Sequence, residues 1–286
     1  MARVIKTAAR SSDDELRAET NNSALLQRSF DTRHYQLTSA RLSTTLDELD
    51  ILRGTQAVAR QGYEQNDIEK TILMPTIFAK VDGIPEVEKP YWTRLDKIRD
   101  SDGLEALVSI HFKSSDWYIS QEDFDDIRTS ETLRPMNLVT SKAWSYQMLN
   151  RDLQKTIAEA IVQMIADWPF SFEKSDDNLA GVISMAFDMP KEILDMTAEV
   201  DYPTEVPLLA FIHQEDMGNI TNDDVVAMTL FHYLGWDVVV YSPHGYASLE
   251  NYLKDDEYDH FSYQKMRPTS SGHGDKKQGF FGKLFN

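Results

Sequence analysis

The chain has 286 residues, 41% of them hydrophobic and 10% aromatic, which is enough for one large domain or two smaller ones around a substantial core. It contains no cysteine, which excludes disulfides, thiolate metal sites and a cysteine nucleophile. No run approaches the ~18 apolar residues of a membrane-crossing helix, and 47 acidic against 29 basic side chains leave a net charge of −18, which repels phosphate backbones and argues against nucleic-acid binding.

The charge is uneven. Residues 1–20 are neutral overall, residues 265–286 carry five basic groups against Asp275, and the acidity therefore lies in between. Residues 1–24 are polar and aperiodic, with no apolar stretch of the kind a secretory signal needs. They are expected to be disordered, and the chain is expected to be cytoplasmic. From Leu42 to Tyr63 the apolar spacing predicts a helix weakened by Gly54. Residues 71–81 are rich in β-branched and aromatic types and predict one strand, closed by the turn signal Asp82-Gly83, with Pro75 at an edge, a bulge or the strand's start. Pro90 opens a short helix carrying Tyr91, Trp92, Leu95 and Ile98. Residues 105–112 read as a second strand, and 113–143 as irregular and acidic.

Leu149, Leu153, Ile157, Ile161, Met164, Ile165 and Trp168 form an apolar stripe at the helical period, stopped at Trp168-Pro169. Two further helices are expected over 178–187 and 190–200. The run from Val206 to Ile212 is continuously apolar, as in a strand covered on both faces. Thr221 caps a following helix whose first turn holds Asp223 and Asp224, and Gly235 ends it. Residues 237–241 form another apolar strand, and 248–253 a last helix. Strand, helix, strand, helix is a βαβα unit with parallel strands. The expected fold class is therefore α/β, with a Rossmann-like C-terminal half (142–264), a smaller α+β N-terminal portion (25–141) and a flexible tail (265–286).

Common phosphate-loop, dinucleotide, zinc-protease and nucleophile-elbow motifs are absent. In an open α/β sheet, ligands bind beyond the carboxyl ends of the strands, where loops meet helix N-termini. That rule selects His213 and Gln214 after one strand and Ser242, Pro243 and His244 after the next. Two neighbouring histidines there could bind phosphate, share a metal or move a proton, or they could be ordinary loop residues over a helix cap. Lys80, near the end of an earlier strand, could meet an anionic ligand. The acidic groups at 123–126 and 255–259, with His260, could hold a hard cation, although neither has the spacing of a calcium loop and a solvated face accounts for them as simply. Tyr91, Trp92 and Arg94 could form a recognition surface or merely seat their helix. Phe280, Phe281, Leu284 and Phe285 would gather on one helical turn, suited to a partner's groove, to a weak membrane-surface contact or to folding back on the chain itself, with the partner's groove preferred over the membrane.

The segments Ile77-Phe-Ala-Lys80-Val-Asp82-Gly83-Ile84-Pro85, Tyr91-Trp92-x-x-Leu95 and Tyr233-Leu-Gly235-Trp-Asp237-Val-Val-Val-Tyr241-Ser-Pro243 together resemble the bacillar YceG-like family, described as part of a biosynthetic module linked to tellurite-resistance and stress-response gene clusters. The resemblance runs from about Thr71 to Met266. It implies a bacterial protein that works beside tellurite-resistance proteins and enzymes that make or modify a nucleotide-like or other small metabolite, and it marks Lys80, Gly83, Pro85, Ser242 and Pro243 as motif positions. It implies no reaction, cofactor or metal. The expected function is binding of an anionic small molecule, with or without catalysis. The alternative is an adaptor that recruits a protein partner through its terminal aromatic motif.

Overall fold

A computed structural model describes residues 35–101, 103–112, 117–128, 133–200 and 204–267. The expectations for residues 1–24 and for Phe280, Phe281, Leu284 and Phe285 lie outside the described residues.

In chain order the elements are β1 (Gln36–Arg41), α1 (Leu49–Arg53), β2 (Glu64–Asn66), β3 (Thr71–Thr76), β4 (Phe78–Asp82), α2 (Glu88–Arg99), β5 (Glu105–Val108), α3 (Gln121–Ile127), α4 (Pro135–Thr140) and α5 (Arg151–Asp167). There follow α6 (Asp176–Ala186), α7 (Lys191–Thr197), β6 (Leu208–Ile212), α8 (Asn222–Tyr233), β7 (Asp237–Ser242) and β8 (Asp259–Ser262). Strands β5-β6-β7-β4-β8, in that order, make a five-stranded sheet whose pairings are all parallel. A second, three-stranded sheet has the order β1-β3-β2. The molecule is thus an α/β protein built on a parallel sheet, in which β4, an interior strand between β7 and β8, comes from the N-terminal half of the chain.

Side chains alternate across the five-stranded sheet as a period of two requires. Phe78, Leu209, Phe211, Val238 and Val240 join one core cluster with α5, α6 and α8, while Ala79, Val81, Leu208, Ala210, Ile212, Val239 and Tyr241 join another with Tyr91, Leu95 and Ile98 of α2. Coverage on both faces explains the unbroken apolar runs of β6 and β7. Tyr91 is buried and packs edge-on to Tyr241, and Arg94 pairs with Asp50, so this aromatic group seats its helix. Thr221 caps α8 as expected: its hydroxyl accepts from the Asp224 amide, and the Asp224 carboxylate accepts from the Thr221 amide. Gly235, with φ +83°, follows the helix end.

Four expectations are corrected. The apolar stretch 71–81 is two strands in two different sheets, because Pro75 has no amide to donate and the Ile77 amide turns instead to the Asp237 carboxylate at 2.8 Å. The helix expected over 42–63 shrinks to α1 and a 3-10 turn at Ala57–Ala59, and Gly54 closes α1. The stretch 113–143 contains α3, capped by Ser120, and α4, opened by Pro135. The helix expected over 248–253 is only a 3-10 turn, Leu249–Asn251, and the acidic 255–259 stretch leads into the edge strand β8.

One buried ion pair lies where the two sheets part. Arg60 donates through Nη1 and Nη2 to the two oxygens of Asp237, each at 2.7 Å, and also to the carbonyls of Pro75 at 3.1 Å and Leu52 at 2.7 Å. Both side chains are fully enclosed. Removing one partner leaves an uncompensated buried charge, so Arg60→Met should cost about 3–5 kcal/mol in urea denaturation. The double variant with Asp237→Asn should lose clearly less than the two single losses together.

Candidate functional site

The alternation that puts Phe78 into the core puts Lys80 and Asp82 on the same face of β4. In register, Lys80 lies between Val240 of β7 and His260 of β8, and Asp82 lies between Ser242 and Ser262. The chain after β4 runs into α2 on one face of the sheet. After β7 it runs through Ala247, Leu249 and Leu253 on the other. Adjacent strands whose continuations leave on opposite faces define a switch point, the usual place for a ligand in such a sheet.

Four polar side chains converge there. The Lys80 ammonium, on a side chain only 2% exposed, lies 3.1 Å from Asp82 Oδ2 and 3.1 Å from Glu250 Oε2. The His260 ring donates from Nε2 to the same Asp82 Oδ2 at 2.6 Å. Glu250 and His260 are each about half exposed, whereas Asp82 is nine-tenths buried. The other carboxylate oxygen of Asp82, Oδ1, is enclosed with no hydrogen-bond partner among the described residues. Such an atom costs free energy unless a donor reaches it. Burial works against ionising Glu250, but a backbone hydrogen bond and the Lys80 ammonium outweigh it and hold this carboxyl below its ordinary range. Tyr258 packs against Phe78, and burial, with Glu250, Asp255 and Asp82 nearby, pushes its phenol up to about 12. Lys80 therefore lies inside the strand rather than at its tip, and two carboxylates already neutralise it.

The other motif positions hold the chain's own backbone. Residues 263–267 run over the ends of β4 and β7. The Tyr263 amide donates to the Asp82 carbonyl at 2.8 Å, the Ile84 amide to the Lys265 carbonyl at 2.7 Å and the Arg267 amide to the Pro243 carbonyl at 2.9 Å. His244 Nδ1 donates to the Arg267 carbonyl at 3.0 Å. Lys265 pairs with Glu88, and the Arg267 guanidinium sits 5.2 Å from the centre of the Trp92 ring. Gly83 has φ +75°, and a Cβ there would fall 2.6 Å from the Lys265 carbonyl oxygen. Pro85 follows this turn and is partly buried. The Ser242 hydroxyl accepts from the Ala247 amide at 3.0 Å and so closes the turn after β7.

The histidine pair behaves similarly. Strands β6 and β7 are adjacent and parallel, as expected, and the His213 amide continues their ladder to the Tyr241 carbonyl. His213 is buried, donates from Nε2 to the Gly218 carbonyl at 2.9 Å, and has its pKa lowered mainly by burial. The Gln214 carbonyl accepts from the Met217 amide in the same loop. Each of the two histidines thus spends a ring N–H on a nearby carbonyl. Sequence reasoning passed over Asp82 and Glu250 as site residues and considered His260 only beside the acidic 255–259 stretch. Its available signal was a lysine and an aspartate two apart in an otherwise apolar strand, which places both on one face.

A further histidine organises the next loop. The buried Asp224 accepts from the Phe112 amide at 2.9 Å, the Thr221 hydroxyl at 2.8 Å and His111 Nδ1 at 2.7 Å, while His111 Nε2 lies 2.8 Å from the Met217 carbonyl. Both ring nitrogens face acceptors, which only the doubly protonated imidazolium satisfies. Burial alone would lower the His111 pKa, but Asp224 and the Met217 carbonyl outweigh it and raise the value.

Among the described residues no group of three or more potential metal ligands is arranged to hold an ion, and no helix is long and apolar enough to cross a membrane.

The fold and the site define an α/β protein with a parallel sheet and a partly buried lysine–carboxylate–histidine cluster towards its carboxyl edge. The chain belongs to the YceG domain family, which matches residues 43–278. It is 27% identical over 241 residues to the uncharacterized protein YceG of Bacillus subtilis (strain 168), an alignment that covers 82% of this chain and 44% of that protein. The chain thus spans less than half the length of this relative. No solved structure matches it.

Two outcomes are expected. Gly83→Ala adds a backbone clash to left-handed strain and should cost roughly 1–3 kcal/mol, whereas Gly62→Ala, at φ +92° with nothing within 4 Å, carries strain alone and should cost distinctly less in the same urea titration. A raised histidine pKa stabilises the fold below the unfolded value, and that stability is lost as pH rises through the folded value. The His111 contribution should therefore fade on going from mildly acid to alkaline pH. A His111→Gln variant should show a flatter pH dependence of stability, and the His111 ring signals in NMR should titrate above those of a free histidine.

Proposed function

We propose that this YceG-family chain binds a small anionic metabolite, nucleotide-like or a sugar phosphate, where β4, β7 and β8 end, using its parallel sheet in the Rossmann-like manner. The observation that carries the reading is the Lys80 ammonium. It is buried inside the sheet, yet one of its two counter-charges comes from Glu250, a half-exposed side chain on a short 3-10 turn. A carboxylate so placed is a displaceable stand-in for the ligand's own anionic group. When Glu250 swings out, a phosphate or carboxylate oxygen takes its place on Lys80, and the turn at 249–251 need move only slightly.

The remaining groups supply chemistry on that ligand. Asp82 holds the Nε2 proton of His260, which leaves Nδ1 as the basic atom of the neutral ring. The pair can accept a proton from a ligand hydroxyl and return it, and Asp82 Oδ1 can accept a hydrogen bond from the same ligand. This is general acid–base catalysis if the bound molecule presents a reactive group to the ring. Membership of a tellurite-resistance or stress-response biosynthetic module rests on the family resemblance alone, and a site for a small anion is compatible with it.

Isothermal titration with inorganic phosphate, nucleoside monophosphates and hexose phosphates tests the reading. Glu250→Gln removes the internal competitor and should tighten binding by about tenfold, equivalent to ~1.4 kcal/mol. Lys80→Met, confirmed as folded by circular dichroism, should abolish it. The proposal fails if Glu250→Gln binds no tighter than the parent, or if none of these anions binds either protein.

A further inference from the structure

Asp82 uses its two carboxylate oxygens unequally. Oδ2 takes both neighbouring donors, the Lys80 ammonium at 3.1 Å and His260 Nε2 at 2.6 Å. Oδ1 takes none among the described residues, although it is enclosed and the side chain as a whole is only 9% exposed. A buried carboxylate oxygen without a donor is costly, because the hydration of an ion has been given up for nothing in return.

The usual local remedy is closed off. An aspartate at the end of a strand ordinarily accepts from the backbone amides that follow it. Here the Gly83 amide donates to the Ser242 carbonyl at 2.9 Å, and the Ile84 amide to the Lys265 carbonyl at 2.7 Å. Strand β7 and the segment 263–267 have thus drawn away the donors that Oδ1 would otherwise use, and the oxygen is left for a group from outside the chain.

Lys80 limits what that group can be. Its ammonium lies 3.1 Å from both Asp82 Oδ2 and Glu250 Oε2, so an anion that takes the place of Glu250 comes to rest beside Asp82. A bare anion there meets a second negative charge at close range, which is unfavourable away from bulk water. An anion that carries its own hydroxyl turns the same neighbour into a hydrogen-bond acceptor. A second ammonium suits the place less well, since it would face Lys80 across one carboxylate and bring a further desolvation cost.

We infer that Asp82 is the specificity-determining residue of this site, and that its unpartnered oxygen selects phosphate esters with a hydroxyl close to the phosphate over esters with a plain alkyl chain. This selection presupposes the anion site proposed above and adds the second group that a ligand must present.

Calorimetric titration of the full chain with glycerol 3-phosphate and with n-propyl phosphate tests it, because the two esters share chain length and phosphate and differ in their hydroxyls. Glycerol 3-phosphate should bind at least about tenfold tighter, a difference of ~1.4 kcal/mol, as for a hydrogen bond to a charged group. In Asp82→Asn, confirmed as folded by circular dichroism, Lys80 and His260 Nε2 hold the amide oxygen, and the NH2 group replaces Oδ1. Losing the carboxylate charge affects both esters alike, but a neutral amide holds a hydroxyl only about half as strongly, so the preference should shrink by about threefold or more. Equal binding of the two esters by the parent chain overturns the selection and leaves the anion site standing. An undiminished preference in Asp82→Asn overturns it as well, since the hydroxyls are then read elsewhere. If neither ester binds, the anion site itself is wrong and the selection falls with it.

Discussion

Arg60 and Asp237 meet where three parts of the chain come together, and the rest of the architecture depends on that contact. The guanidinium is bound face to face by the carboxylate that opens β7, and it also holds the carbonyls of Leu52 and Pro75. The same carboxylate takes the amide of Ile77 at the step between β3 and β4. A charge pair out of water is stable only when nearly all its hydrogen-bonding capacity is used, and here it is used on backbone groups that would otherwise be left unpaired between two sheets. The pair therefore sets where one strand ends and the next begins. It also fixes the position of β4, and Lys80 and Asp82 with it, beside β7.

With β4 in that place, the carboxyl edge of the sheet divides into two parts. Over one part the segment 263–267 lies across Gly83 and Pro243, hydrogen-bonded through its backbone and anchored to α2 by Lys265 and Arg267. The small residues of that edge give the strap room, since a side chain at Gly83 would strike the Lys265 carbonyl. The other part carries Lys80, Asp82, Glu250 and His260, with polar atoms turned towards a half-exposed rim. The division accounts for the different duties of residues that sit close together: glycine and proline shape the covered part, and ionisable groups populate the open one.

The histidines illustrate how environment separates chemically identical side chains. His111 lies between a carboxylate and a carbonyl, which raise its pKa against the effect of burial. His213 donates to one carbonyl and is pushed towards neutrality by burial. His232 is enclosed between Phe78 and the Thr76 hydroxyl and is lowered to about 4, so it stays neutral through the physiological range. His260, by contrast, pairs with the Asp82 carboxylate while half its own surface remains in water.

By itself the sequence determined the local elements. The apolar stripe of α5, the Thr221 cap and Gly235 stop of α8, and the continuous apolar runs of β6 and β7 are all set by interactions within a few residues or by burial on both faces, and these are legible in order and spacing. Neighbouring parallel strands with His213 and Ser242 at their ends follow from the same pattern. Only the tertiary structure decided that residues 71–81 would split between two sheets, because the deciding partner, Asp237, lies some 160 residues away. Only it could show that Gly83, Pro243 and His244 face the chain's own segment 263–267, and that Lys80 meets a glutamate and a histidine from beyond β7. Charges that meet across such separations leave no periodicity behind, since their proximity is a property of strand order, and strand order is chosen by the packing of the whole sheet.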